Sequence, residues 1–372
     1  MVRRTPNLSA RILLIVMVLS LFGLVMLLSI SGPRGEVQYG NAFYFVTRQF
    51  LFLVLGGILL WVGARTDFRR WLRFVWPVFG VTLVLLLLVY VKPIGQNING
   101  SSRWIRFPGI PFSFQPSEFA KVAAILFLAH WFGERHPAWP GFLKGLVLPG
   151  LCLGPMLLLI LGEVDFGATL LISATSGAML LAAGAPLLLL VPIAIVGVAG
   201  IAFLISHEPE RMGRIIAFLD PEKYASGEAY QLINALYGFV AGGFKGLGLG
   251  RGLQKQRYLP EAHTDFIFAC IGEELGLLAT LAIILLFILF LLTGLRIASR
   301  TIDRRGQLLA FGITVLISLQ ALINIGVVTG CLPTKGLSLP YISYGGSGLL
   351  VLLFMAGILI NIARHPDPAS EE

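Results

Sequence analysis

The fold is decided by residues 266–295, which read FIFACIGEELGLLATLAIILLFILFLLTGL. This run of about thirty residues carries only two charged side chains, Glu273 and Glu274, and is long enough to cross a bilayer as a helix. The whole chain agrees, since 56% of its 372 residues are hydrophobic and only 13% are charged. Because a backbone in lipid must satisfy its own hydrogen bonds, the sequence predicts an all-α polytopic membrane protein.

Ten apolar stretches are long enough to form membrane-spanning helices. They cover approximately residues 10–31, 45–64, 74–92, 117–132, 143–161, 166–184, 186–205, 266–295, 307–330 and 344–363. No stretch of the chain has the composition of a soluble domain. The sequence therefore predicts a single membrane domain over 1–372, with short tails at 1–9 and 364–372.

Lys and Arg residues near the ends of the spans predict the orientation, because they concentrate on the cytoplasmic side. The side that carries both termini also has the basic clusters at 65–73 and 296–305. Both termini are therefore expected in the cytoplasm, and the long connection 206–265, between the seventh and eighth spans, outside it. The chain is expected to be a multi-pass protein of the cytoplasmic, or inner, membrane.

The formal net charge of +9 has two sources under this topology. The cytoplasmic part fits contact with anionic membrane lipid. The basic residues of 206–265 are not needed for orientation and could attract an anion on the outer side. Nucleic acid is disfavoured as a partner, because these residues share their loop with acids and adjoin the membrane.

Two features are predicted inside the long connection. Residues 228–242 place apolar side chains at helical spacing, which predicts an amphipathic helix lying on the membrane surface. The glycine-rich residues 242–250 follow as a pliable loop that allows close approach of the backbone.

Asp265 is an acid at the start of the eighth span, where an ionisable group is costly and therefore a candidate functional residue. Four of the other five aspartates lie among cytoplasmic arginines or in a turn: Asp67, Asp220, Asp303 and Asp367. Asp165 is the closest rival, and capping of the sixth span is the favoured explanation for it. Capping of the eighth span remains an alternative for Asp265.

Polar side chains near Asp265 indicate what it could act on. Glu261 and His263 precede it, and a basic cluster comes before them, made of Arg251, Lys255 and Arg257. Such cations can neutralise a pyrophosphate, although a solvated basic loop is an equally open explanation. Glu261, His263 and Asp265 offer too few ligands for a metal site, so none is predicted.

Glu118 and Lys121 stand three residues apart at the start of the fourth span, so they share one helix face and can pair. A buried ion pair is more often structural, or part of a switch, than catalytic. We therefore interpret Glu118 and Lys121, together with Asp165, as structural or switch residues.

Four blocks of sequence resemble one known family. They are NGSSRWI at 99–105, QPSE at 115–118, GLQKQRYLPEAHTDFIFA at 252–269 and PTKGLSLPYISYGGS at 333–347. Together they resemble the SEDS (shape, elongation, division and sporulation) family of bacterial membrane glycosyltransferases, over essentially the whole chain. The motifs around Asp265 are more similar to the division branch than to the elongation branch. The chain departs from the usual pattern at Gly348 and Arg251.

The resemblance implies a fold of ten helices and the polymerisation of lipid II into glycan strands on the outer face of the membrane. It implies a class B penicillin-binding protein, and other divisome proteins, as partners. The family's essential aspartate falls on Asp265, and the matched blocks add Arg103 and Ser343 as candidate substrate-binding residues. No cofactor is firmly implied, and a divalent cation, Mg or Mn, stays an open alternative.

An α-linked donor and a β-linked product call for one inverting displacement, with Asp265 as the general base that activates the acceptor hydroxyl. Two other functions remain open, a lipid II flippase and an elongation-type polymerase. A passive scaffold for division proteins is a further alternative.

Overall fold

A computed structural model describes residues 7–92, 94–98, 101–106, 112–134, 139–255 and 259–364 of the chain. The helices before the long connection are α1 Leu8–Tyr39, α2 Tyr44–Arg65, α3 Phe68–Arg73, α4 Val75–Leu88, α5 Pro116–Glu134, α6 Leu148–Gly162, α7 Phe166–Ala182 and α8 Leu187–Ser206. Those that follow are α9 Pro209–Leu219, α10 Tyr230–Gly242, α11 Ile267–Arg300, α12 Arg304–Val328 and α13 Gly346–Ala363. A π-helical turn, Leu143–Val147, leads into α6.

Each of the ten predicted spans has a helix in the described residues. By length and composition, seven of the described helices can cross a membrane, when the π-helical turn is counted together with α6. Two more, α4 and α7, are apolar but shorter. The tenth, α5, carries the Glu118–Lys121 pair. The polytopic helical architecture is confirmed, while the number of spans stays a prediction.

The centre of the bundle is α12, which packs against α5, α7, α11 and α13. Glycines allow the closest helix contacts, as is usual where backbones approach in a membrane. A Cβ at Gly63 of α2 would lie 2.9 Å from the Phe354 oxygen of α13. In contrast, α8 has no buried residue and packs mainly against α9.

A β-hairpin lies in the connection between the third and fourth predicted spans. β1 Gly95–Ile98 pairs in antiparallel fashion with β2 Ser101–Ile105, and Ile105 forms a further bridge with Phe114. The fold is therefore mostly helical rather than entirely so. β2 carries Arg103, one of the predicted substrate-binding residues.

The predicted surface helix is wrong in its placement, because α10 packs lengthwise against α11. Phe239 lies against Phe268, and Gly242 fits against the Gly272 and Glu273 backbone of α11. Successive contacts thus move from the N-terminal end of α11 towards its middle, so α10 runs alongside this predicted span rather than across its end. Val240, on another side of α10, is 79% exposed. We call α10 and the residues 243–255 that follow it the re-entrant hairpin, with α10 as its first arm.

The second arm of this hairpin returns through the glycine-rich loop, which pairs with a break in α11. Gly276 has φ 73° and ψ −170°, which no helix contains. The backbone N–H groups of Leu247 and Gly248 donate to the backbone oxygens of Glu273 and Glu274, at 3.0 and 2.9 Å respectively. The close approach of the glycine loop is therefore confirmed, and its partner is α11.

The break lies about 14 Å along α11 from Ile267, at 1.5 Å per residue. That is roughly half of a 30 Å hydrocarbon core. Non-helical backbone at such a depth is tolerated only where protein covers its polar groups, and here the loop supplies the missing partners.

Candidate active site

Asp265 lies in the loop directly before α11, and its side chain is half-buried. Phe266 is the N-cap of α11 and no side chain caps the helix, so the capping explanation for Asp265 is not supported. Asn324 of α12 donates through Nδ2 to the backbone oxygens of Asp265 and Leu337, at 2.8 and 2.6 Å. The loop that carries Asp265 is therefore fixed to the loop between α12 and α13.

Gly336 in that second loop allows the Asp265 carboxylate to come close. A Cβ at position 336 would lie only 2.8 Å from Asp265 Oδ2. The glycine therefore makes room for the carboxylate at this point of the fold.

Burial is the main cause that raises the pKa of Asp265 to about 7. The charges of Glu261 and Asp165 act in the same direction, whereas Arg103 lowers the pKa. The structure thus brings together four of the predicted residues, from the hairpin, from α7 and from the loop before α11. A carboxylate that titrates near neutral pH is suited to accept and release a proton.

Glu261 and His263 shape the loop that presents Asp265. Glu261 adopts φ 55°, pairs with Arg34 of α1 at 3.1 Å and accepts a hydrogen bond from the Thr264 hydroxyl. His263 is buried against Phe45, and its backbone oxygen accepts from the Tyr344 N–H. Burial and the charge of Arg34 lower the pKa of His263 to about 4, so its ring is neutral at pH 7.

Asp165 is the N-cap of α7, as the capping explanation for it required. Its Oδ1 accepts from the Ala168 N–H at 3.1 Å, and Oδ2 accepts from Gln115 Nε2 and the Ser117 hydroxyl at 2.9 and 3.0 Å. These bonds tie α7 to the start of α5. Asp165 therefore contributes its charge to the site while its oxygens are committed to the fold.

Glu163 is a carboxyl group near the site that was not among the residues predicted from the sequence. Its side chain is 1% exposed, and neither carboxyl oxygen has a hydrogen-bond partner among the described residues. Burial, with the charge of Asp165, raises the pKa of Glu163 to about 9, against the effect of Arg103. Its position two residues before Asp165 was the only signal in the sequence.

Replacing Glu163 with glutamine is expected to raise thermal stability, by a margin that grows with pH. The folded chain favours the protonated acid, so its contribution to stability is complete below the ordinary pKa of 4.5 and is lost as the pH rises towards about 9. Glutamine does not titrate. Melting temperatures at about pH 5 and about pH 8 measure the effect. Glu222→Gln, at an exposed position, is the matched control. An equal fall in melting temperature between the two pH values in Glu163→Gln and in the unchanged protein would contradict the prediction.

The pairing predicted for Glu118 and Lys121 is present, with Nζ 2.7 Å from Oε1. Lys121 also donates to Gln320 Oε1 of α12 at 3.1 Å, and Gln320 Nε2 donates to the Ser338 oxygen at 2.9 Å. The pair thus connects α5 through α12 to the loop between α12 and α13, which in turn lies against Asp265. A switching role for it stays a prediction.

The remaining candidates occupy different positions. Ser343 is buried and its hydroxyl accepts from the Leu339 N–H at 2.9 Å. Arg251 is exposed on the second arm of the re-entrant hairpin, and Lys255 donates to Glu274 at 2.8 Å. Arg257 lies outside the described residues. Substrate contact by these four residues stays a prediction.

Among the described residues, no group of three or more His, Cys, Asp or Glu side chains is arranged to hold a metal ion. Around Asp265, Asp165 is committed to capping, Glu261 to Arg34, and Glu163 favours its protonated form. These donors do not fit a resident divalent cation, and we derive no step through one.

The fold and the site define a class, a polytopic helical membrane protein that holds a titratable carboxylate at one end of its bundle. The chain belongs to the FtsW/RodA/SpoVE family of cell cycle proteins, whose model matches residues 9–367. The resemblance to the SEDS family is thereby confirmed.

Relatives cover nearly the whole chain. It is 42% identical over 356 residues to a probable peptidoglycan glycosyltransferase FtsW of Trichlorobacter lovleyi, which spans 95% of this chain and 92% of the relative. It is 37% identical over 363 residues to the stage V sporulation protein E of Bacillus subtilis, over 97% and 99% of the two chains.

Solved structures share the fold. One chain of a peptidoglycan synthase complex, described as coordinating polymerization and crosslinking, superposes with a TM-score of 0.75 at 28% identity, covering 95% of this chain and 96% of that one. The rod shape determining protein RodA of Thermus thermophilus superposes with a TM-score of 0.69 at 26% identity, covering 95% of each chain.

Proposed function

We propose that this chain is a peptidoglycan glycosyltransferase of cell division, which polymerises lipid II into glycan strands at the outer face of the cytoplasmic membrane. The observation that carries the proposal is the place of Asp265, directly before α11 and beside Gly336, where burial raises the pKa of its carboxyl group to about 7. The proposal is supported by the match of this chain, at about 40% identity over nearly its full length, to proteins named probable peptidoglycan glycosyltransferase FtsW.

The reaction is one inverting displacement. Asp265 takes the proton of the acceptor 4-hydroxyl while that oxygen forms a bond to the anomeric carbon of the donor sugar. The bond from that carbon to the undecaprenyl pyrophosphate breaks, and the leaving group departs with the electron pair. Arg103 is close enough to act on the charge of Asp265, and with Arg251 and Arg257 it would neutralise the pyrophosphate.

A class B penicillin-binding protein is the proposed partner, which would crosslink the strands that this chain makes. Its support is the likeness to a chain of a peptidoglycan synthase complex. The match to relatives named probable peptidoglycan glycosyltransferase favours a polymerase over a flippase.

The test is glycan synthesis from purified lipid II by the purified chain, with and without the partner, with moenomycin present to suppress polymerases of the other class. Glycan polymer is the expected product. Its absence in both reactions, from protein that is folded and bound to its partner, would overturn the proposal.

The initial rate of polymerisation is expected to rise about tenfold per pH unit below pH 7 and to level off above it. Only the ionised carboxylate can accept the hydroxyl proton, and burial, assisted by Glu261, raises the pKa of Asp265 to about 7. Rates measured from about pH 5 to about pH 9 check the profile. A rate that stays constant across this range would contradict the assignment of the base.

A further inference from the structure

Lys255 and Glu274 form a buried ion pair beside the break in α11. The ammonium nitrogen lies 2.8 Å from Oε1, and the two side chains are only 7% and 1% exposed. Glu274 also accepts hydrogen bonds from the Gly250 and Gly252 N–H groups and from the Ser29 hydroxyl of α1. All of its acceptor capacity is therefore used, and Lys255 is the cation that balances its charge.

The pair belongs to a larger anchor for the segment that leads to Asp265. The neighbouring Glu273 accepts from the Leu253 N–H at 2.7 Å and from the Gln254 N–H at 3.2 Å. Two adjacent carboxylates of α11 thus hold residues 250–255 on one side. Ser29 of α1 meets the same residues on the other side, because Lys255 also donates to its backbone oxygen at 3.3 Å.

The anchored segment continues directly into the catalytic loop. The Leu259 N–H donates to the Gln254 oxygen at 3.0 Å, so the chain on either side of residues 256–258 is joined. Farther on, Glu261 pairs with Arg34 of α1, and the Phe266 N–H donates to the Glu261 oxygen at 3.3 Å. The chain that leads to Asp265 is therefore attached to α1 and α11, in addition to the bond that Asn324 of α12 donates to Asp265.

We propose that the Lys255–Glu274 pair positions the loop of Asp265, and that Lys255 is not a ligand of the substrate pyrophosphate. This inference rests on the proposed function. To reach a phosphate, Lys255 would have to leave Glu274 buried and charged, which is costly inside a membrane bundle. The pair instead fixes the start of a loop in which a displacement of about 1 Å can lower the rate 100-fold.

The test compares Lys255→Met, Glu274→Gln and the double variant in the polymerisation assay. Each single variant leaves one buried charge without its partner, and we expect kcat to fall about 10- to 100-fold at a nearly constant KM for lipid II. The double variant removes both charges, and we expect it to recover to within about threefold of the unchanged protein. Lys245→Gln, an exposed lysine of the same loop, is the control and should keep full activity.

The two roles of Lys255 predict opposite results. A ligand of the leaving pyrophosphate would lower kcat, raise KM or do both in Lys255→Met. Adding Glu274→Gln would then bring no recovery, which would overturn the proposal. Melting temperatures of all five variants separate loss of fold from loss of position. Lys255→Arg, which keeps the positive charge, should keep kcat close to that of the unchanged protein. Polymer from the unchanged protein with no rescue rejects only the positioning role, whereas no polymer at all rejects the proposed function.

Discussion

Replacing Asp265 with asparagine is expected to lower the rate of glycan polymerisation about 10²- to 10⁴-fold, the range that a general base supplies. Asparagine has nearly the same shape as aspartate, so it fits beside Gly336 and leaves the Asn324 bond to the backbone oxygen intact. It cannot accept the proton of the acceptor hydroxyl. The loss should therefore appear in kcat while the melting temperature and the binding of the partner are kept.

The measurement is the rate and length of polymer made from purified lipid II by protein that is folded and bound to its partner. Asp303→Asn is the matched control, because Asp303 caps α12 and pairs with Arg69 at the predicted cytoplasmic end. That variant should polymerise normally. Wild-type rate and polymer length from Asp265→Asn would remove Asp265 from the role of base.

The position of Asp265 could be predicted from the sequence because its physical signal is local. A carboxyl group beside an apolar span is costly wherever the rest of the chain lies, so its presence needs a reason. The Glu118–Lys121 pair was predictable in the same way, since spacing along one helix fixes which side chains meet. Both predictions use only the chain within one helix and its flanks.

Glu163 and the Lys255–Glu274 pair depend on contacts between distant segments, which local patterns do not contain. Glu163 has a raised pKa because its side chain is buried in the folded chain, and hydropathy does not report that burial. Lys255 carries the same charge in the sequence whether it faces a phosphate or Glu274. Only the course of the re-entrant hairpin decides between these two environments.

The break in α11 shows why hydropathy alone misses such features. Residues 266–295 have the composition of one uninterrupted helix, and Gly276 is tolerated in many helices at a modest cost. What opens the helix is the loop at 243–248, whose backbone groups replace the lost helical bonds. The Leu277 N–H, for example, donates to the Gly243 oxygen at 2.9 Å.

Replacing Gly276 with alanine is therefore expected to destabilise the protein by about 2–6 kcal/mol, the sum of backbone strain and overpacking. Its φ of 73° with ψ of −170° is a conformation that is essentially restricted to glycine. A methyl group there would also overlap the Gly246 nitrogen and the Phe244 oxygen, which are backbone atoms that cannot turn away. Either the break closes or the hairpin moves, and each outcome releases the Lys255–Glu274 anchor.

Thermal unfolding of the detergent-solubilised protein measures this effect, with Gly57→Ala as the matched control. Gly57 lies inside α2, and a Cβ there meets no atom within 4 Å. The same substitution should be neutral there or stabilise by up to about 1 kcal/mol, because alanine favours a helix. Equal melting temperatures for the two variants would mean that the helix is continuous at Gly276, and the re-entrant pairing would then have to be abandoned.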